Sequence, residues 1–342
     1  MDIRKKILKL AQDKRKFKTA EIAEALNLSR QYVSRILNGL VYKGRLIRGG
    51  SANKAFYALP QNASLLGNQI KKYLKNKDLK EHEVVDEIEH QAPFLNRLKE
   101  NVKSIFTYAF SEMLNNAIEH SRSEDIEVTL TRSNNYLIFK VRDFGIGVFR
   151  NVMKKRGLTS ELEAIQDLLK GKTTTAPKAH TGEGIFFTSK ASDIFILESF
   201  NYRLRIDNKI KDVFVEEVKN PKKGTLVVFT INTGSARHLN DIFKKYQSNP
   251  EEYAFDKTEI QVKLYIVGTI YISRSQARRI LAGLDKFKSI VLDFDKVPTV
   301  GQAFADEIFR VFQSKYPEIK LTARNMNEAV TFMVGRVDKH NL

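Results

Sequence analysis

The sequence contains no cysteine and no tryptophan, and it is short of acidic residues. Without cysteine the chain cannot form disulfide bonds, use a thiol nucleophile or bind zinc through thiolates. No apolar run approaches the length of a membrane span. Residues 1–10 alternate charged with apolar side chains, unlike the apolar core of a signal peptide. We therefore expect a cytoplasmic protein that does not enter a membrane.

Length and composition favour several folded domains. The chain has 342 residues, of which 42% are hydrophobic and 10% aromatic. These fractions are sufficient for hydrophobic cores and exclude a wholly disordered chain. Because a single core stops growing well below this length, the sequence predicts two or three domains.

Positive charge is concentrated at the N-terminus. The chain carries 58 Lys and Arg against 40 Asp and Glu, a net charge of +18, and residues 1–60 hold 14 of the basic and 4 of the acidic residues. A basic segment joined to a nearly neutral body is typical of a nucleic-acid-binding module. A lysine-rich solubilising tail is the alternative that charge alone leaves open.

Residues 1–60 have the pattern of three helices followed by a hairpin. Apolar residues recur at helical spacing in residues 3–10, 22–26 and 32–40. Thr19 and Ser29 are the predicted N-caps of the second and third helices. Residues 43–50 and 54–59 predict two short strands around a glycine-rich tip. This order resembles the winged helix-turn-helix domains of bacterial transcription regulators, with a helical protein-interaction domain as the alternative.

The resemblance implies that the third helix enters the major groove of double-stranded DNA by its N-terminal end. The residues of this end that would contact bases and phosphates are Ser29, Arg30, Gln31, Ser34 and Arg35. The hairpin, or wing, would contact phosphates through Lys43, Arg45, Arg48 and Lys54.

A polar cluster lies in a long helical pattern near the middle of the chain. Glu112 and Asn116 are four residues apart, so both side chains lie on one face of the helix. A carboxylate there can deprotonate a nucleophile, and an amide oxygen can complete a Mg²⁺ shell formed by phosphates and water. A solvated helix face is the alternative.

Two glycine-containing clusters follow. Asp143, Gly145 and Gly147 stand at the end of a predicted strand, where the carboxylate can accept a hydrogen bond from an exocyclic amine such as N6 of adenine. The run from His180 to Gly184 introduces a helix whose first N–H groups suit phosphate oxygens. Each cluster alone is also compatible with a plain turn.

Taken together and in this order, the three clusters in residues 83–235 resemble the GHKL ATPase fold. Gyrase, heat-shock chaperones, histidine kinases and mismatch-repair ATPases share this fold, in which helices cover an antiparallel sheet. The sequence contains no Walker A motif, so a P-loop enzyme is excluded.

The GHKL resemblance implies ATP and Mg²⁺ as cofactors. Glu112 would be the general base, Asn116 would hold Mg²⁺ and Asp143 would bind adenine. Residues 148–181 would form a mobile lid, whose lysines 170, 172 and 178 would serve phosphates. The full set of implied nucleotide-binding residues is Asn115, Asn116, Asp143, Gly145, Gly147, Thr181, Gly182, Glu183, Gly184, Ile185 and Thr225.

Residues 255–338 alternate predicted strands and helices, beginning with a strand at 264–272, and resemble the STAS-like domains found behind such ATPases. True STAS partners of serine kinases are phosphorylated at a helix start. The aligned position here is Gln302, which cannot accept a phosphoryl group, and Thr299 is an imperfect substitute nearby. The resemblance therefore implies an attached docking domain, with a dimerisation or spacer domain as the alternative.

The sequence thus predicts a multidomain α+β protein. It comprises a winged helix (1–60), a linker (61–82), a GHKL α/β sandwich (83–235) and a small α/β STAS-like domain (255–338). We expect a regulator that binds DNA under the control of ATP. Whether it forms a homodimer or binds a protein partner stays open. The alternative is a serine/threonine protein kinase similar to anti-sigma-factor kinases, so both ATP hydrolysis and phosphoryl transfer to a STAS-type partner stay open.

Overall fold

The computed structural model describes residues 2–49, 55–62, 68–92, 94–95, 98–172, 183–249, 254–265 and 272–337. The chain divides into two units, each built from two stretches of sequence. The first unit comprises residues 1–148 and 188–237, and the second comprises residues 149–187 and 238–342. Within the described ranges, no helix has both the length and the apolar character needed to cross a bilayer.

Three helices open the first unit: α1 (Ile3–Lys14), α2 (Thr19–Leu26) and α3 (Arg30–Tyr42). Ser29 caps α3 as predicted, because its Oγ accepts a 3.2 Å hydrogen bond from the amide of Tyr32. Thr19 is not the cap of α2 but its first residue. Lys18 occupies the cap position, and its amide donates to the carboxylate of Glu21. This carboxylate also complements the positive end of the helix dipole.

Three short antiparallel strands complete an N-terminal module, residues 2–62. They are β1 (Lys16–Phe17), β2 (Ile47–Gly49) and β3 (Phe56–Ala58), in the order β1-β3-β2. The predicted hairpin is β2 and β3, and β1 extends it. Helices and strands share one core, in which Ile7, Phe17, Val33, Leu37 and Tyr57 are at most 2% exposed.

A five-stranded antiparallel sheet forms the body of the first unit. Its strands are β4 (Gln69–Lys75), β5 (Asp125–Ser133), β6 (Tyr136–Asp143), β7 (Ile194–Asp207) and β8 (Asp212–Asn232), in the order β4-β5-β6-β8-β7. The predicted linker 61–82 contains β4, which pairs with β5 along its whole length. Lys71, Tyr73 and Lys75 of β4 are exposed, as expected of a charged edge strand.

Helices α4 (Glu81–Gln91) and α5 (Glu100–His120) belong to this unit, and α5 packs on the sheet. The rings of Phe106 and Phe110 in α5 lie 6.0 and 5.4 Å from that of Phe139 in β6. Phe139 in turn stacks on Phe229 of β8 at 4.8 Å. Each buried ring stabilises this layer by roughly 1.5–3 kcal/mol. The arrangement is the predicted helical layer on an antiparallel sheet.

Strands β7 and β8 are the two longest strands of this sheet and pair with each other. The register of the pair shifts between Ser199 and Tyr202, and Phe200 there has a φ of 48°. Such an irregularity bends a strand and increases its twist.

Two asparagines connect the N-terminal module to the sheet. Asn134, in the turn between β5 and β6, donates to the carbonyl of Val41 near the end of α3. Asn68, just before β4, donates to the carbonyl of Arg48 in β2 over 2.9 Å. The carbonyl of Asn68 accepts a 2.7 Å hydrogen bond from the amide of Arg132 in β5. The module therefore contacts the end of the sheet at which β4 and β6 begin.

A three-stranded parallel sheet forms the centre of the second unit. Its strands are β9 (Lys257–Gln261), β10 (Ser289–Asp293) and β11 (Lys320–Arg324), in the order β11-β10-β9. Helix α7 (Glu161–Lys170) lies in this unit, and α6 (Val148–Arg156) and α8 (Gly184–Ala191) have residues in both units. The later helices are α9 (Leu239–Lys245), α10 (Arg274–Leu281), α11 (Gln302–Ala305), a π-helical stretch (Asp306–Phe312), α12 (Gln313–Lys315) and α13 (Glu328–Gly335).

The first described strand of this sheet lies at 257–261, before the strand that the sequence predicts at 264–272. Val262–Tyr265 form a 3₁₀ turn, and residues 266–271 lie outside the described part of the chain. Thr258 and Ile260 of β9 are buried, whereas Lys257, Glu259 and Gln261 are polar and half-buried. A short strand with four polar residues in five lacks the apolar run by which a buried strand is recognised.

Candidate functional site

Helix α5 carries the first predicted cluster. Glu112, Asn115 and Asn116 are half-buried, while Met113 and Leu114 between them are buried in the core. The three polar side chains are spaced by three and four residues, so they share the face of α5 that the core does not use. A carboxylate and two amides on one face form a donor set that suits Mg²⁺ and an activated hydroxyl.

Helix α4 supports α5 beside this cluster. The hydroxyl of Ser111 donates to the carboxylate of Glu81 at the start of α4. The hydroxyl of Thr107, one turn earlier, donates to the carboxylate of Glu89 over 3.3 Å. These bonds fix the rotation of α5 and with it the direction of its polar face.

Asp143 ends β6, and its side chain is 5% exposed. Its Oδ1 accepts hydrogen bonds from the amide of Gly145 over 2.9 Å and from the amide of Thr225 over 3.2 Å. Burial raises the pKa of this carboxyl, and the two amide donors oppose that rise. A buried, oriented carboxylate is a strong acceptor for the amine of a purine base.

Glycines allow three segments of chain to meet around Asp143. A Cβ at position 145 would lie 1.8 Å from the carbonyl oxygen of Ser121, and one at position 224 would lie 2.1 Å from that of Asp143. Gly147 and Gly224 have φ values of +78° and +90°, which residues other than glycine rarely adopt. The predicted glycines at 145 and 147 are therefore required by the backbone of the turn.

Thr225 joins β8 to this turn. Its amide reaches Asp143, and its Oγ1 accepts a 3.1 Å hydrogen bond from the amide of Val148, the first residue of α6. The hydroxyl of Ser199 in β7 donates to the carbonyl of Gly224 over 3.1 Å. Strands β6, β7 and β8 and the start of α6 are thus held together at one point.

Residues that the sequence reasoning did not select also build the turn. The carbonyl of Ser121, just after α5, accepts from the amide of Ile146 over 2.8 Å. The hydroxyl of Ser123 accepts from the amide of Phe144 over 3.0 Å and donates to the carbonyl of Asp125 over 2.6 Å. Both serines are buried. Their position in the sequence, as small polar residues between a polar helix and a strand, is the signal by which Ser121 and Ser123 could have been selected as site residues.

The second glycine cluster is described only in part. Thr181 and Gly182 lie outside the described residues, as do His180 and Lys178. Helix α8 begins at Gly184, where the glycines were predicted to introduce a helix. Glu183, Gly184 and Ile185 are half-buried and belong to the second unit, whereas Asp143, Gly145, Gly147 and Thr225 come together in the first.

The predicted lid lysines have other partners. The ammonium of Lys170 donates to the carbonyls of Arg279 and Ala282, and that of Lys172 donates to the carbonyl of Lys286. The expectation that these lysines serve phosphates is therefore replaced by bonds to the backbone of the C-terminal region.

The candidate nucleic-acid-binding residues lie on the surface of the N-terminal module. Ser34 is half-buried, Lys54 lies outside the described residues, and the exposed residues of the set are Ser29, Arg30, Gln31, Arg35, Lys43, Arg45 and Arg48. The guanidinium of Arg35 lies 5.5 Å above the ring of Tyr32, which is 38% exposed. This surface combines basic and aromatic groups next to the capped start of α3.

Comparison with protein families identifies two of the domains. Residues 101–235 match the family described as "Histidine kinase-, DNA gyrase B-, and HSP90-like ATPase". Residues 276–331 match the family described as "STAS-like domain of unknown function". A comparison with curated proteins found no match. Neither family match extends to the N-terminal module, so the winged helix stays a prediction.

These matches mean that the chain contains a GHKL-type ATPase domain followed by a STAS-like domain, a combination that indicates an ATP-dependent regulator. A GHKL domain implies nucleotide binding, typically with Mg²⁺. Among the residues described, no group of three or more His, Asp or Glu side chains could hold a metal ion by itself. The donors present fit a Mg²⁺ ion that receives its other ligands from phosphates and water.

Proposed function

We propose that this protein is a DNA-binding regulator in which ATP and Mg²⁺, bound at the polar face of α5 and the Asp143 turn, control how the N-terminal module engages double-stranded DNA. The observation that carries the proposal is the position of β6. One end of this strand holds Asp143, and the turn before its other end contacts α3 through Asn134 and Val41.

Nucleotide binding is supported by the chemistry of the first unit. Asp143 would accept from the base amine, and Asn116 would contribute an amide oxygen to Mg²⁺, with Asn115 on the same helix face. When bound, Mg²⁺ would neutralise phosphate charge. Glu112 would orient or deprotonate the attacking hydroxyl, whether that of water or of a protein side chain.

DNA binding is supported by the order of elements and by charge. Three helices and a three-stranded antiparallel sheet agree with a winged helix-turn-helix, in which α3 is the recognition helix. The exposed arginines of α3 and β2 lie on a module with a net charge of +10 over residues 1–60. Contacts of this kind would position the module on phosphates.

Coupling between the two sites is supported by the contacts of the module with the sheet. Asn134 bonds the end of α3, and Asn68 joins β2 to the strand pair β4–β5. A change in β6 at Asp143 would reach the recognition helix along one strand, without a flexible linker between. The coupling free energy equals the difference between the free energies of nucleotide binding to the DNA-free and to the DNA-bound protein.

The test is the affinity for duplex DNA with and without Mg-ATP, measured by fluorescence anisotropy. We expect ATP to change the affinity by about 5- to 150-fold, the usual range of allosteric coupling. Asp143→Asn should abolish the change, because its amide nitrogen would face the base amine with a second donor. Asp125→Asn, on the neighbouring strand, is the matched control and should keep it. Equal DNA affinities with and without bound ATP in the wild type would refute the proposal.

A further inference from the structure

A segment of the GHKL region folds with the C-terminal domain. Residues 149–172 and 183–187, here called the insertion segment, belong to the second unit together with residues 238–342. In sequence, the segment starts two residues after Gly147, the last residue of the Asp143 turn. The segment therefore leads directly out of the turn that is predicted to bind nucleotide.

Lys170 anchors α7 to the last turn of α10 and to the residue that follows it. Its side chain is 4% exposed, and its ammonium donates to the carbonyls of Arg279 and Ala282, both over 2.9 Å. The ammonium also lies 5.2 Å above the ring of Tyr265. Withdrawing this ammonium would cost free energy, because the buried charge and both carbonyls would lose their hydrogen-bond partners.

Strand β9 and the turn after it hold the same helix from another side. The hydroxyl of Thr258, which is fully buried, donates to the carbonyl of Lys170 over 2.7 Å. The side-chain Nε2 of Gln166 donates to the carbonyl of Leu264 over 2.9 Å, and the hydroxyl of Tyr265 donates to the backbone carbonyl of Gln166 over 2.8 Å. These bonds join α7 to the sheet edge of the C-terminal domain.

The other end of the insertion segment is held by aromatic packing. The ring of Phe186, at the start of α8, lies 4.9 Å from that of Tyr246 and 4.8 Å from that of Phe255. The ring of Phe187 lies 4.7 Å from that of Phe243. Phe186 and Phe187 thus bury apolar area against the rings of Phe243, Tyr246 and Phe255.

We infer that the insertion segment and the STAS-like domain move as one body, so that nucleotide bound at the Asp143 turn, from which the segment leads, changes the state of the STAS-like domain. The inference rests on the proposed nucleotide site. It assigns a second output to ATP besides the N-terminal module. The C-terminal domain would be a component of the ATP-responsive machinery, and α7 would occupy its β9 face in place of an external partner.

Amide hydrogen exchange on the full chain, followed by mass spectrometry, tests this inference. Thr258→Val and Lys170→Met each remove one anchor and keep the side-chain size. Their matched controls are Thr322→Val in β11 and Lys154→Met in α6, both at exposed positions. Without nucleotide, we expect faster exchange of the α7 amides in the two anchor variants than in the controls. Equal exchange in variants and controls would refute the anchoring.

The second arm adds Mg-ATP, and calorimetry on the same samples records whether it binds. In the wild type and the controls, ATP should change exchange in β9 and α10. In the anchor variants this change should be lost while ATP still binds. A wild type that binds ATP without any response in β9 and α10, or an anchor variant that responds fully, would overturn the inference and leave the proposed function intact. A wild type that binds no ATP would overturn both, and the nucleotide-free arm would still decide the anchoring.

Discussion

Glu112 is the predicted general base in both kinds of chemistry that a GHKL domain can perform. Its carboxylate lies on the polar face of α5, four residues before Asn116. If it deprotonates water, the products are ADP and phosphate; if it deprotonates a protein hydroxyl, the phosphoryl group stays on a partner. The residue and its surroundings are the same in both cases, so the acceptor decides the reaction.

We predict that Glu112→Gln abolishes phosphoryl transfer to either acceptor and leaves ATP bound, with a rate loss of about 10²- to 10⁴-fold. Release of labelled phosphate from γ-labelled ATP measures hydrolysis, and labelled protein in a cell extract measures kinase activity. Glu119→Gln, at an exposed position of the same helix, is the control. Unchanged turnover in Glu112→Gln would remove this residue from the role of base.

Lys170 makes the stability of the second unit depend on pH. Burial lowers the pKa of its ammonium to about 8; the neighbouring Asp167 opposes this shift, while Lys286 and Arg156 add to it. Above pH 8 the folded chain releases this proton while the unfolded chain still holds it. The free energy of unfolding therefore rises with pH from about 8 up to the ordinary pKa of lysine.

Urea unfolding of the wild type and of Lys170→Met between pH 7 and pH 10 tests this pH dependence. The stability of the wild type relative to the variant should increase over this range, because the penalty for burying the charge disappears. Lys154→Met should show no such trend relative to the wild type. A constant difference between wild type and Lys170→Met would contradict the assigned pKa.

At the scale of elements, β6 and the turn before it connect two predicted sites. The strand lies in the centre of the sheet, paired with β5 on one side and β8 on the other. A central strand buried under α5 deforms little, so a displacement at one end is carried to the other. The contact of Asn134 with Val41 is the point at which this displacement would reach α3.

We predict that Asn134→Ala reduces the effect of ATP on DNA affinity without abolishing the binding of either ligand. The substitution removes the hydrogen bond to the end of α3, and a loss of about 0.5–2 kcal/mol of coupling is the usual scale for such a link. The adjacent, exposed Asn135→Ala is the control. Anisotropy titrations with and without ATP provide the measurement, and an undiminished ATP effect would exclude this route.

At the scale of the whole molecule, the charge of the chain predicts how binding responds to salt. The N-terminal module holds more than half of the net charge of +18. Each phosphate contact releases counterions, so the logarithm of DNA affinity should fall linearly with the logarithm of salt concentration. A slope near zero would rule out DNA as the partner.

Substitutions of single arginines test which residues of the module contact phosphates. Arg30→Ala and Arg35→Ala should each weaken binding and reduce the salt slope by about 1 where the side chain contacts a phosphate. Lys244→Ala, an exposed cation of α9 outside the module, should leave the slope unchanged. Equal slopes for all three variants would place the DNA contact elsewhere on the chain.

Local patterns predicted much of the candidate site. The helix bearing Glu112 and Asn116 and the turn from Asp143 to Gly147 follow from periodicity and glycine chemistry, which involve residues close in sequence. Ser121 and Ser123 were missed because their importance comes from contacts with Ile146 and Phe144, more than twenty residues away. A small polar residue gives no sign in the sequence of which distant amide it will satisfy.

The sequence by itself determined the helix starts at Ser29 and Gly184, the turn at Asp143 and the basic character of the N-terminal module, because capping, glycine conformation and charge are local properties. Only the tertiary structure decided that β4 joins the sheet, that β9 precedes its predicted position and that α7 folds with the C-terminal domain. Lys170 illustrates the physical reason. Nothing in the local sequence around Lys170, which stands between Leu169 and Gly171, predicts its burial. The carbonyls of Arg279 and Ala282, more than a hundred residues later, make it a buried anchor.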